Sequence, residues 1–105
     1  MTWVILFIAG LCEVVWALAL KESDGFSKLG PTLVFLVAAV LSVVLLALAL
    51  KELPVGTGYA VWTGTGAVGT AIFGIVFFGE AATLGRLVPI ALIAAGIVWL
   101  ALGEG

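Results

Sequence analysis

The chain has 105 residues, 65% of them hydrophobic, with four basic and six acidic side chains, no histidine and a formal net charge of −2. So few charges cannot cover a globule of about 100 residues, which excludes a soluble domain and a large extramembrane one. There is no basic surface for nucleic acid, and with Cys12 as the one cysteine no metal site, disulfide, cofactor motif or imidazole-based enzyme chemistry is expected.

Read as gaps between charges, the sequence falls into four apolar blocks: Trp3 to Leu20, Leu29 to Leu50, Leu53 to Phe78, and Leu87 to Leu102, the last starting near Leu84. Helices of these lengths rise roughly 24 to 39 Å, against a hydrocarbon core about 30 Å thick. The connections are short and rich in turn residues: Lys21-Glu22-Ser23-Asp24-Gly25, Lys51-Glu52-Leu53-Pro54, and Gly79 through Arg86. The blocks are apolar all round, where β-barrel strands would alternate. The expected fold is an all-α integral membrane protein, a single four-helix transmembrane domain over residues 1–105 with helices at about 3–20, 29–50, 54–78 and 84–102.

Ala17-Leu18-Ala19 imitates a signal-peptide cleavage site, but no basic residue precedes the first block and Glu13 interrupts it, so it reads as a span. Four spans put both termini on the side of Lys51, with Lys21, Lys28 and Arg86 on the other. That basic bias is too weak to fix one orientation, and insertion both ways round is expected.

Glu13 is the one charge inside a span, ten residues after Trp3 and seven before Leu20. An ionised acid near the bilayer centre costs at least ~2.5 kcal/mol, and such acids face a cavity, a partner or a substrate. One reading is a protonated carboxyl that holds helices together by a hydrogen bond. The other is a site for protons and cations: no Lys or Arg lies within a span to neutralise Glu13, so its counter-charge comes from outside the protein. Helical spacing puts Ala9, Gly10, Trp16, Ala17 and Leu20 on its face. Trp16, one turn on, has an indole N–H for the carboxylate or a ring face for a cation; the competing reading is an interfacial aromatic, the role that fits Trp3 and Trp99.

In the second block Ser42 is the one interior hydroxyl, either bonded to its own i−4 carbonyl or lining a cavity beside small neighbours. In the third, Tyr59, Trp62, Thr63 and Gly66 share a stripe that Thr70 and Gly74 continue. Its aromatics either pack or supply donors to Glu13, and its small residues admit a neighbouring helix. Gly64-Thr65-Gly66-Ala67-Val68-Gly69 matches G-x-G-x-x-G, but it lies inside an apolar span with Arg86 where the dinucleotide motif needs an acid. Its glycines are read as a place for the helix to bend. The fourth block has no interior charge or hydroxyl; Ala91, Ala94, Ala95 and Gly96 suit helix association.

Glu13, Trp16, Ser42, Tyr59, Trp62, the Gly64-Thr65-Gly66 segment and the Lys21-x-Ser23-x-Gly25-Phe26 loop together resemble the small multidrug resistance family nearly end to end. Trp16 and Ser42 look like its guanidinium exporter subtype; the polyaromatic-drug exporters differ there. The resemblance implies an antiparallel, dual-topology homodimer in the bacterial inner membrane, in which both Glu13 side chains share one substrate- and proton-binding site. It implies that Trp16, Ser42 and Trp62 bond the carboxylates, that Tyr59 acts in gating, and that Leu92, Ile93 and Gly96 form a dimer contact.

The residues point the same way. Four helices supply one acid and too few walls to enclose a cavity, and two oppositely inserted copies would act like the inverted repeats of larger transporters. A guanidinium ion, planar and rich in N–H donors, satisfies paired carboxylates as an Arg side chain does. The expected function is proton-coupled antiport exporting guanidinium ion and small substituted guanidines. The alternatives are a broad quaternary ammonium and lipophilic cation exporter, or a non-transporting membrane assembly subunit.

Overall fold

A computed structural model describes residues 1–104, the side chain of residue 104 apart. Four helices follow in chain order: α1 (Thr2–Glu22), α2 (Leu29–Ala49), α3 (Val55–Phe78) and α4 (Leu84–Glu104), with no strand among the described residues. Each is long and apolar enough to cross a membrane. Apart from Glu13, the charged residues sit at helix ends or in the turns, because an ionised group in a bilayer is cheapest at the water boundary.

The turns follow local chemistry. Ser23, fully buried, ends α1: its N–H bonds the Ala19 carbonyl at 2.9 Å, and its hydroxyl donates to the Leu20 carbonyl at 2.7 Å while accepting the Phe26 N–H at 3.1 Å. The chain then reverses through three consecutive left-handed residues, Asp24, Gly25 and Phe26, with φ of 49°, 69° and 67°. Pro31 falls in the first turn of α2, where no backbone donor is required. Gly79, at φ 66°, closes α3 by bonding the Gly74 carbonyl. Pro89 lies inside α4, which continues through it.

α1 is the centre of the arrangement, packed on α2 and α3, whereas α4 touches α3 alone. The core consists of Leu6, Ala9, Leu46, Ala49, Val61 and Trp62. None of the described α4 residues is fully buried, and Trp99 is 80% exposed. The chain forms a slab of 40 × 34 × 18 Å, about two helix diameters thick. Thr2 Oγ1 donates to Glu52 Oε2 at 3.4 Å, which puts the amino terminus beside the α2–α3 turn. Lys21 and Arg86 both line one cavity at the opposite end.

Candidate functional site

α1 and α3 run parallel along a seam of small residues. A methyl group on Gly10 would meet Thr65 Cγ2 at 2.7 Å, and one on Gly69 would meet Val14 Cγ2 at 2.5 Å. Between these contacts the Glu13 side chain lies directly on Gly66, where a Cβ would overlap the carboxyl group. The glycine stripe that lets α3 approach α1 therefore also makes the place for the acid. Glu13 Oε1 is buried without a hydrogen-bond partner, and so is the Nε1 of Trp16, one turn along. An unpartnered buried polar atom costs about 1–3 kcal/mol, so a ligand or second chain that paired them would gain that much.

Glu13 and Gly66 line a cavity of about 440 Å³ that runs past Thr70 and Gly74 to Lys21, Glu80 and Arg86 at the end of the bundle. There Arg86 Nη2 donates to Glu80 Oε1 at 2.8 Å. Among the described residues no group of His, Cys, Asp and Glu side chains could hold a metal ion.

Ser42 and Trp62 meet, but their hydrogens do not go to Glu13. Trp62 Nε1 donates to Ser42 Oγ at 2.9 Å, and Ser42 Oγ donates to the Ala9 carbonyl at 2.7 Å. This corrects one reading of Ser42: the hydroxyl crosses from α2 to the α1 backbone and does not bond its own i−4 carbonyl. The Trp62 indole hydrogen is thus used within the chain, on Ser42. Ser42, the acceptor, is fully buried. Ala9 is the i−4 residue to Glu13, so the chain of bonds fixes α1 one turn before the acid.

Trp16 is held from the side. Its ring meets Phe35 of α2 edge-on at 5.8 Å, and Phe35 meets Phe26 of the α1–α2 turn at 5.5 Å. Phe35 was not singled out by the sequence reading; its only signal is that it is the one aromatic residue in α2. Tyr59 packs on Trp62, with ring centroids 5.3 Å apart, and stays 54% exposed.

Gly64 and Gly66 lie within α3, which is one helix from Val55 to Phe78. Each is also a contact point: Gly66 receives Glu13, and Gly64 receives Ile97 and, at 3.5 Å, Ile93 of α4. Of the three expected dimer-contact residues, Ile93 is thus engaged partly within its own chain, whereas Leu92 is 68% exposed and Gly96 faces open space.

The family model described as Small Multidrug Resistance protein matches residues 1–93. A protein of Yersinia pseudotuberculosis named guanidinium exporter is 61% identical over 104 residues, 99% of this chain and all of that one. Proteins of the same name from Escherichia coli (strain K12) and Proteus vulgaris are 58% identical over 97% of both chains, and 53% identical over 99% of this chain and all of the relative. With its four membrane-spanning helices, the chain is a multi-pass bacterial inner-membrane protein and belongs to the Small Multidrug Resistance protein family.

Proposed function

We propose that this chain is a transporter, not an enzyme: a proton-coupled antiporter that exports guanidinium ion and small substituted guanidines by alternating access. The observation that carries the proposal is the buried, unpartnered Glu13 oxygen on the wall of a cavity reaching the end of the bundle. Within the described helix interiors no basic side chain neutralises it, so proton and cation compete for one counter-charge position. The name guanidinium exporter, borne by relatives at 53–61% identity, supports the choice of cation.

In the same proposal the working unit is an antiparallel homodimer that brings two Glu13 carboxylates together. Their repulsion is relieved by a proton or by the N–H donors of one planar cation. Trp16, one turn from Glu13 and with an unpartnered buried N–H, is the supporting donor; Ser42 and Trp62 act by fixing α1 at Ala9, and Tyr59 by gating over Trp62. Gly64 and Gly66 give α3 the slack to bend between states. Leu92, Ile93 and Gly96 form part of the contact between copies.

Purified chain in sealed liposomes tests the mechanism. An outwardly directed proton gradient is expected to drive guanidinium uptake, and Glu13→Gln is expected to abolish it. Flux that persists in Glu13→Gln overturns the mechanism, and absence of flux in the unmodified chain favours the assembly subunit. Tetraphenylphosphonium transported as well as guanidinium would mark the broader cation exporter.

A further inference from the structure

The cavity that ends at Glu13 has a second carboxylate at its mouth, and that carboxylate already holds a guanidinium group. Arg86 Nη2 donates to Glu80 Oε1 at 2.8 Å, and both side chains line the cavity with Glu13 and Lys21. The position is built: the Glu80 N–H bonds the Gly74 carbonyl at 3.2 Å, and the carboxylate lies over Gly74, where a methyl would meet Oε1 at 2.6 Å and Cδ at 3.0 Å. Glu80 thus folds back along α3 toward the cavity.

We propose that Glu80 is an outer subsite for guanidinium cations, where the substrate displaces the chemically equivalent head of Arg86 on its way to or from Glu13. This rests on the exporter reading above. The exchange conserves charge and hydrogen-bond type, since one planar N–H donor replaces another on the same acceptor. The displaced Arg86 head moves into water, which its 36% exposed side chain already meets, and exposed pairs of this kind open readily. Lys21 leaves the mouth with two cations to one acid, so the substrate's stop is brief.

Guanidinium transport by the full chain in liposomes, measured across a concentration series, tests this. Glu80→Gln is expected to raise KM by up to about fivefold, the range an exposed charge pair supports, with kcat within twofold of the unmodified chain. Arg86→Gln is expected to do the reverse, lowering KM and slowing turnover, because the freed carboxylate retains the cation. The double variant is expected to follow Glu80→Gln. A purely structural ion pair predicts the same change for both single variants, since either one breaks it; matching or absent changes overturn the inference while leaving the exporter reading intact. Absence of guanidinium flux in the unmodified chain overturns both. Should Arg86→Gln fail to fold, Arg86→Lys keeps the charge and loses the planar fork, and a lowered KM is again expected. A KM unchanged or raised in Arg86→Lys overturns the proposal.

Discussion

Gly66→Ala puts the smallest possible probe into the proposed site. The added methyl would overlap the Glu13 carboxyl group and come within 2.6 Å of its Cγ. Two relaxations are open. Glu13 can leave its rotamer, at about 0.5–1.5 kcal/mol, or α1 and α3 can separate, at the 1–3 kcal/mol typical of overpacking, roughly. Against either, alanine gains about 1 kcal/mol over glycine in helix propensity. Net stability therefore changes by no more than about 2 kcal/mol, while the carboxylate moves whichever route is taken. If about 1–3 kcal/mol falls on the cation-bound state, guanidinium binds about 5- to 150-fold more weakly. Gly56→Ala, in the same helix but with nothing within 4 Å of the new methyl, is the control, expected to stabilise the helix slightly and leave transport alone. Thermal unfolding followed by tryptophan fluorescence, together with guanidinium uptake in liposomes, reads both quantities. A Gly66→Ala protein with unmodified half-saturation and rate would refute the placement of Glu13 against α3.

Ser42→Ala strands the Trp62 N–H in a buried position, whereas Trp62→Phe leaves Ser42 still donating to Ala9; Ser42→Ala is expected to lose about 1–3 kcal/mol from the unsatisfied donor, beyond any loss of packing, and a double-mutant cycle is expected to show strong coupling. Gly25→Ala forces a side chain onto φ 69° with open space around it, and a loss of about 1–2 kcal/mol in thermal unfolding is expected, from backbone strain alone. Engineered cysteines in the α1–α2 turn are expected to label from both faces of intact membranes, given one basic residue on one side and three on the other; labelling from a single face would refute dual insertion.

The four helices were legible because the chain has almost no charge to spare: each Lys, Arg, Asp or Glu outside Glu13 had to mark a boundary with water. Glu13 was legible as the exception, and Gly66 as a small position on the stripe that meets it. What the sequence could not disclose is which polar atom each donor chooses. The bond from Trp62 to Ser42 and on to Ala9 joins three helices, and it depends on how each is rotated about its axis. Rotation is read from an apolar face set against a polar one, and α2, almost wholly Leu, Val and Ala, has no polar face to compare. The same uniformity hid Phe35, which steadies Trp16 from that helix. Gly64 was ambiguous for another reason: a glycine that weakens a helix can also receive a neighbour's side chain, and the contact with Ile97 depends on where α4 packs.

The exposed faces and the buried atoms make different demands on a second copy. Trp99 at 80% and Leu102 at 77% exposure do not require a protein partner, because lipid tails cover apolar side chains as well as protein does. Lipid cannot pair Glu13 Oε1 or the Trp16 N–H, so the argument for assembly rests on these polar atoms and not on the apolar surface of α4. If two carboxylates form one site, subunits carrying Glu13→Gln must impair their partners. Co-expressing unmodified and Glu13→Gln chains in equal amounts leaves about one quarter of randomly formed pairs with both acids. Transport per unmodified chain is then expected to fall to about half, because half of those chains sit in mixed pairs. Flux that scales with the fraction of unmodified chains would show each Glu13 acting alone, and would overturn the shared site without touching the fold.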